Sequence, residues 1–324
     1  MRNQRECRFC AQSGNPIPRP PTVPAPGDRP LVPGGPTTMA PMTPPPGPAP
    51  VRPPLLADHV AVVTGGGAGI GAGVARRLAA EGAAVVVNDI DADRLWAVVG
   101  EIEGAGGSAR GVLGDIRRQQ TVVSLSQAAE AVDGGRVDVL VNNVGDYRPH
   151  GRFLATGPAQ WDALYALNLE HVLRCTRAIA PAMVQRGAGS IVNVSTVEAF
   201  RGIPANAVYC AFNAAVNAFT RSLAVELGGH GVRVNAIAPD VADTPQTPAS
   251  SMLRGRDPAL VRSWVPLGRF GHPDDYGDVV VFLASSLSRF VTGCVIPVDG
   301  GTLAASGWFR RAAGPGWTNL PDRP

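Results

Sequence analysis

The sequence predicts a doubly wound α/β fold, one parallel β-sheet of about seven strands with helices on both faces, and three observations predict it. Short β-branched runs alternate with Ala/Leu-rich helical stretches from about Leu55 onward. Several of the runs are apolar throughout, as expected of strands covered on both faces. A glycine-rich segment joins the first run to the first helical stretch.

Taken in order, strands are predicted at His59–Thr64, Ala84–Asp89, Ala109–Leu113, Val137–Asn142, Ser190–Ser195, Val232–Ile237 and Cys294–Val298. Helices are predicted between them, at about 69–82, 92–105, 117–132, 159–186, 207–229 and 273–285. There is no internal repeat. Residues 55–301 therefore make one domain, with a segment 1–54 before it and a tail 302–324 after it. Seventeen of the 31 prolines fall in 1–54 among Gly, Ala and Thr, a composition that buries too little apolar surface to offset its ordering entropy. A disordered segment with polyproline-II character is expected there. Met39 and Met42, just upstream of the expected folded region, are candidates for a different translation start. Cys7 and Cys10 have the C-x2-C spacing of a zinc half-site, but no second Cys/His pair follows nearby, so no metal is expected.

At 324 residues, 45% hydrophobic and 17% charged, the chain reads as soluble and globular. A formal charge of +3 without a block of like charges excludes a nucleic-acid partner. No apolar run approaches the roughly 18 residues of a membrane helix, and the N-terminus lacks the apolar core of a secretory signal, so a cytosolic protein without membrane contact is expected. Five scattered cysteines make no disulfide framework. The chain has no lysine: all 29 basic residues are arginine.

The first strand runs into Thr64-Gly65-Gly66-Gly67-Ala68-Gly69-Ile70-Gly71 and then a helix. Glycine permits the sharp turn and lets the backbone approach a pyrophosphate, while the free N–H groups of the first helical turn point at the anion. A Rossmann-type sheet binding a dinucleotide is therefore expected. Asp89, ending the second strand, lies close to the roughly 20-residue offset at which a carboxylate accepts from the adenosine ribose. A carboxylate there repels a 2′-phosphate, so NAD is expected over NADP. The alternative is a solvated strand-end aspartate beside Asp91 and Asp93.

Further on come Asn142-Asn143-Val144-Gly145 after the fourth strand, hydroxyls at the end of the fifth, and Tyr209 on the next helix. With the glycine pattern, these motifs, in this order from about Asp58 to Gly301, resemble the classical short-chain dehydrogenases/reductases. The resemblance implies that Gly65, Gly67, Gly69, Ile70 and Gly71 hold the cofactor, that Asp115 and Ile116 lie at its adenine ring, and that Asn143 and Gly145 belong to the family's Asn-Asn-Ala-Gly turn, here with Val144. It implies that Tyr209 is the proton donor and that Asn168 binds a relay water. Thr196, thirteen residues before the tyrosine with Ser195 one residue earlier, would polarise the carbonyl. Threonine keeps the hydroxyl but adds a methyl and stiffens χ1. Pro239 and Thr244 match the segment that contacts the nicotinamide amide, with Asp240 in place of a glycine, and Val298-Asp299-Gly300-Gly301 matches the closing strand.

The fourth catalytic position departs from the family. Its Tyr-x-x-x-Lys is Tyr209-Cys210-Ala211-Phe212-Asn213, and no other lysine exists to substitute. In the family that lysine holds the nicotinamide ribose and depresses the tyrosine pKa. An ammonium about 5 Å from a phenol, at an effective dielectric near 20, favours the phenolate by roughly 3 kcal/mol, about two pKa units. Without it Tyr209 is expected to titrate near 10, while Asn213, one helical turn on, can still hydrogen-bond the ribose. Alcohol oxidation needs the phenolate, so it is expected to be weak at neutral pH and to rise toward pH 10.

Residues just after the fourth and fifth strands face the cleft in such sheets, and here they include Asp146, Tyr147, Arg148, His150 and Glu198. Asp146 and Glu198 have two readings: a proton relay or seat for a cationic amine or imine, or carboxylates paired with Arg148, Arg152 or Arg201 that shape the loop. His150 is a candidate substrate contact, and Cys210 a packing residue. Helices 159–186 and 207–229 carry more apolar surface than one sheet face needs. Their family counterparts form a four-helix dimer interface within tetramers, so a homo-oligomer, dimer or tetramer, is expected. Residues 245–263 read as a substrate lid, and the aromatic tail Ser306–Pro324 as docking on its own subunit or closing a neighbour's pocket. The leading function is an NAD(H)-dependent oxidoreductase interconverting a secondary alcohol and a carbonyl on a small molecule. Asn213 and Asp240 motivate a second, a dinucleotide-binding protein without catalysis, and the pocket carboxylates a third, an imine reductase.

Overall fold

Seven parallel strands form the main sheet: β1 Val60–Thr64, β2 Ala84–Asp89, β3 Ser108–Leu113, β4 Val139–Asn142, β5 Gly189–Val194, β6 Val232–Pro239 and β7 Val295–Val298. The computed structural model describes residues 53–132, 135–311 and 316–318; Cys7, Cys10 and the rest of the Pro-rich segment to residue 52 lie outside the described residues. The strand order is β3-β2-β1-β4-β5-β6-β7. From β1 the chain steps outward to β3, returns to pair β4 on the other side of β1, and steps outward again to β7. Where the direction reverses, between β1 and β4, a crevice opens at the carboxyl ends of the strands.

Alternate residues of the same strands feed two cores. Val62, Val86, Leu140, Ile191 and Val234 face one layer with Val122, Leu125, Ile179 and Met183, while Val63, Val87, Val141, Val192 and Ile237 face the other with Leu78, Leu95, Val280 and Leu283. Both faces of the central strands are dry, so these need no polar alternation, whereas the edge strand β3 alternates exposed and covered residues. The covering helices are α1 Gly69–Ala80, α2 Ala92–Gly104, α3 Gln119–Glu130, α4 Pro158–Tyr165, α5 His171–Arg186, α6 Ala207–Gly228, the short α7 Ala249–Leu253 and α8 Val261–Trp264, and α9 Pro273–Ala284. Asp91 starts α2 by accepting from Arg94 N, and Gly187, left-handed at φ 74°, ends α5. The single helix expected over 159–186 is interrupted: one π-helical turn, Ala166–Glu170, separates α4 from α5.

A chain of side-chain hydrogen bonds runs across this sheet, although Asn142 Oδ1 is buried without a partner among the described residues. Asn142 Nδ2 donates to Asn193 Oδ1 at 2.9 Å, Asn193 Nδ2 to Thr220 Oγ1 at 2.9 Å, and Thr220 Oγ1 to the Val216 carbonyl at 2.8 Å. This chain ties β4 and β5 to α6, the helix of Tyr209. After the sheet, β8 Phe309–Arg310 pairs antiparallel with β9 Trp317–Thr318, and Arg310 Nη2 donates to the Pro266 carbonyl at 3.1 Å. The described part of the tail thus lies against its own chain. No helix among the described residues is long and apolar enough to cross a membrane.

Helices α1 and α9 approach each other through glycine. A Cβ on Gly73 would fall 2.6 Å from the Pro273 carbonyl group, whereas one on Gly100, exposed on α2, would meet nothing within 4 Å. Gly73→Ala is therefore expected to lose about 1–3 kcal/mol to overpacking, and Gly100→Ala to gain about 0.5–1 kcal/mol from helix propensity. Urea unfolding of the two variants checks this, and midpoints moving in the same direction would refute it.

Candidate functional site

A cleft of about 960 Å³ opens at the carboxyl ends of the strands, and every residue predicted from the sequence to bind cofactor lines it except Gly67. Gly67 has another task, donating its N–H to Asp89 Oδ2 at 2.8 Å. Gly65 and Gly69 have φ of 63° and 53°, values that L side chains rarely adopt, and a Cβ on Gly71 would collide with the Gly65 carbonyl. Helix α1 begins at Ala68 without a side-chain cap and without an acidic residue in its first turn. Its orphan N–H groups and positive dipole end thus face the cleft uncompensated, which fits a diphosphate. Asn143 holds this loop in place, with Nδ2 donating to the Thr64 and Gly65 carbonyls at 3.0 and 3.1 Å and its N–H to Thr64 Oγ1 at 3.0 Å. At the far end, Asp89 Oδ1 accepts from Asp91 N at 3.0 Å. Asp115 is gripped through two guanidinium nitrogens by Arg117, which holds its carboxyl below the usual range.

The end of the cleft that holds Tyr209 is built on the segment after β5, on α6 and on the π turn. Ser195 Oγ donates to the Asn213 carbonyl at 3.3 Å, so it serves the helix. Thr196 Oγ1 instead accepts from Glu198 N at 3.3 Å and lies within hydrogen-bonding reach of the Tyr209 phenol. Tyr209 is half-buried at the cleft wall. Desolvation, then the Glu198 charge, push its pKa well above the ordinary 10, against the opposing hydrogen bond from Thr196. The value near 10 expected from the sequence is thereby corrected upward: the loss of lysine is compounded by burial. Asn213 also lines the cleft, with Nδ2 donating to the Tyr209 carbonyl one turn back at 3.1 Å. Asn168, buried in the π turn, accepts from Asp146 N at 3.1 Å through Oδ1 and donates to the Asp146 and Leu164 carbonyls at 2.9 Å through Nδ2. Next to it His171, fully buried, is pushed down to about 4 by desolvation and stays neutral. Thr244 shares hydrogen bonds with Thr247 against Gly69, and Gln246 Nε2 reaches across the cleft to the Gly145 carbonyl at 3.2 Å.

The two pocket carboxylates separate. Asp146 is gripped by Arg148 through two guanidinium nitrogens, at 3.0 and 2.6 Å, as the loop-shaping reading has it. Glu198 lines the cleft with no hydrogen bond or ion pair to its carboxyl from a described residue, and burial lifts its pKa to about 6. Arg201, its nearest candidate partner, is taken by Asp240, whose Oδ2 accepts from Arg201 Nη2 at 2.6 Å and from Thr302 Oγ1 at 2.5 Å. Asp240 also accepts from Val241 N, and its carbonyl from the Tyr276 hydroxyl at 2.8 Å. The residue with positive φ is Val241, at 42°, so aspartate sits at 240 without left-handed strain. His150 stands outside the cleft lining, exposed, with its ring 5.7 Å from that of Tyr147. Sequence reasoning missed the Arg201–Asp240–Thr302 link and the Gln246 clasp, neither of which has a motif. It also passed over the Asp115/Arg117 pair, which has the same Asp-x-Arg spacing as the Asp146/Arg148 pair it had weighed, a usable signal of self-paired loops. Among the described residues no cluster of His, Cys, Asp or Glu is arranged to hold a metal.

A family model described as enoyl-(acyl carrier protein) reductase matches residues 65–302. The short-chain reductase protein NovJ of Streptomyces niveus is 41% identical over 248 residues, 75% of this chain and 94% of that protein. The 3-oxoacyl-[acyl-carrier-protein] reductase FabG of Thermotoga maritima is 39% identical, over 76% and 98%. Among solved structures, one described as an NAD(P)-dependent gluconate 5-dehydrogenase from Beutenbergia cavernae, with NADP at low occupancy, is 36% identical with a TM-score of 0.71, over 78% of this chain and 100% of that one. Levodione reductase is 30% identical with a TM-score of 0.71, over 77% and 99%. With the seven-stranded sheet, the glycine loop and the Tyr209 wall already in place, these similarities lead to one conclusion: the chain belongs to the short-chain dehydrogenase/reductase family of oxidoreductases.

Proposed function

We propose that the protein is an NAD(H)-dependent oxidoreductase of secondary alcohols and carbonyls that works mainly as a reductase. The observation carrying this reading is the neutral, half-buried Tyr209 phenol beside the Thr196 hydroxyl, at the mouth of a cleft whose far end is an uncapped glycine-helix turn. A nicotinamide dinucleotide bound there supplies or accepts the hydride. Thr196 accepts from the Glu198 N–H, so the proton it directs at the Tyr209 phenol can turn to a substrate oxygen seated between them. Tyr209 gives its proton to that oxygen as negative charge develops, and its raised pKa keeps it in the acid form at neutral pH. Asn213, anchored to the Tyr209 carbonyl through Nδ2, keeps Oδ1 to accept from a ribose hydroxyl. Asn168 fixes the Asp146 loop, and its widened helical turn suits a backbone site for a relay water. Asp89, already accepting two backbone N–H groups, has lone pairs left for ribose hydroxyls and a charge that opposes a 2′-phosphate. Assembly into a dimer or tetramer through the outer face of α4–α6 belongs to the same reading, supported by exposed Tyr165 and Val225.

Three outcomes are expected. Tyr209→Phe lowers NADH-dependent ketone reduction by about 10²–10⁴-fold while NADH binding, followed by cofactor fluorescence, persists. Unchanged turnover would remove Tyr209 from the chemistry, and no turnover in the parent would favour the silent binding protein. Because the phenolate forms only above its raised pKa, alcohol oxidation climbs through pH 10 without a plateau, and Asn213→Lys moves that alkaline limb down by about two units. A pH–rate profile that is flat, or identical in both proteins, would sink the electrostatic account. Asp89→Ser shifts preference toward NADPH, measured as the ratio of kcat/KM for the two cofactors. An unmoved ratio would show that Asp89 does not read the ribose.

A further inference from the structure

Five carboxylates line the cleft, and four of them are satisfied by the protein. Asp115, Asp146 and Asp240 are held by Arg117, Arg148 and Arg201, and Asp89 by the Gly67 and Asp91 N–H groups. The fifth, Glu198, follows Thr196 by two residues, and among the described residues nothing donates to its carboxyl. A half-buried carboxyl normally acquires a donor, because desolvation without one costs free energy. Here a donor is at hand and is diverted. Arg201 is close enough to stabilise the Glu198 charge, yet its guanidinium is bonded to Asp240, which Thr302 grips from the other side. The aspartate that replaces a glycine after Pro239 thus keeps Glu198 unpaired inside the reaction cleft.

We propose that Glu198 is the recognition carboxylate for a cationic substrate, an amino alcohol or amino ketone whose ammonium lies beside the reacting carbon. This rests on reading the cleft as the alcohol/carbonyl site. Proximity to the reacting carbon follows from the cleft wall itself, where Glu198 stands two residues past Thr196, to whose hydroxyl its N–H donates, and lines the same cleft as Tyr209. An ammonium supplies three charge-assisted donors to a carboxylate that lacks any. A proton relay through Glu198 is the weaker alternative, because no hydrogen bond joins its carboxyl to the phenol, whereas Thr196 reaches it. The groups facing Glu198 are Asp240 and Arg201 beyond β6 and β5, and Tyr209 and Cys210 on α6. Burial and Asp240 raise its pKa to about 6, so the carboxylate charge is present above that pH and lost below it.

The test uses the full chain saturated with NADH and titrated with 1-amino-2-propanol or with its neutral isostere 2-butanol. Neither alcohol can react with reduced cofactor, so binding is read without turnover, from NADH fluorescence. The expected result at pH 7.5 is about tenfold tighter binding of the amino alcohol, the size of one charge-assisted contact. The preference disappears in Glu198→Gln, survives in Glu198→Asp, and fades in the parent as pH falls through 6. NADH binding by each variant in the same titration certifies its fold. No amine preference in the parent, or a preference that persists in Glu198→Gln, overturns the proposal. Ketone turnover measured in parallel separates the two claims: turnover without amine preference removes only the role of Glu198, and amine preference without any turnover removes only the oxidoreductase reading.

Discussion

The bond set between the ends of β1 and β4 is the contact on which the rest of the site depends. Asn143 donates to two consecutive carbonyls of the glycine turn and to the Thr64 hydroxyl, so the loop that must approach a diphosphate is held by the neighbouring strand. Space decides the same issue. A side chain at Gly65 would press on Val144 and Asn143, and one at Gly71 would strike the Gly65 carbonyl. Only bare backbone lets strand, turn and helix close while the first-turn N–H groups still face outward. The cleft exists because β1 and β4 are adjacent while their connections leave in opposite directions.

The second constraint is electrostatic. A chain without lysine must place positive charge with arginine, whose planar fork favours fixed two-point pairing over a mobile point charge. Arg117 on Asp115 and Arg148 on Asp146 are spent in this way, while Arg201 reaches Asp240 through Nη2 alone and the Thr302 carbonyl through Nη1. None is delivered to the phenol. The wall of Tyr209 is therefore a region of hydroxyls, amides and one unpaired carboxyl, and burial there raises the tyrosine pKa unopposed by a cation.

Much of this was legible in the sequence, and the illegible part has a physical pattern. The strands were readable because uniform burial on both faces leaves an uninterrupted apolar run, as at Val85–Val87. The glycine turn and Asp89 were readable because backbone geometry demands particular residues at particular spacings. The π turn was not, since Ala-Leu-Asn-Leu-Glu is good helix sequence and only the bonds from Asn168 to the Asp146 loop reveal the widened turn. Asp146 and Glu198 looked alike along the chain, both acidic and both just past a strand. What separates them is pairing in space: Arg148 lies two residues from Asp146, while Arg201 is drawn from Glu198 by a residue 39 positions further on.

On the proposed reading, Asn213 affects the two directions of the reaction unequally. Losing a nearby cation weakens Tyr209 as an acid, but the proton goes to an oxygen acquiring alkoxide character, a far stronger base than a phenolate, so reduction retains its driving force. Oxidation requires the phenolate to exist beforehand, and each unit added to the phenol pKa removes about tenfold of it at a given pH below that pKa. An ammonium seated on Glu198 changes this balance, because it brings positive charge within range of the same phenol whose ionisation the bare carboxylate opposes. A cationic substrate would then supply part of the field that the family places on lysine, and a neutral one would not. On this argument the site discriminates substrates through proton transfer as well as through binding, with Glu198 and Asn213 as its two determinants.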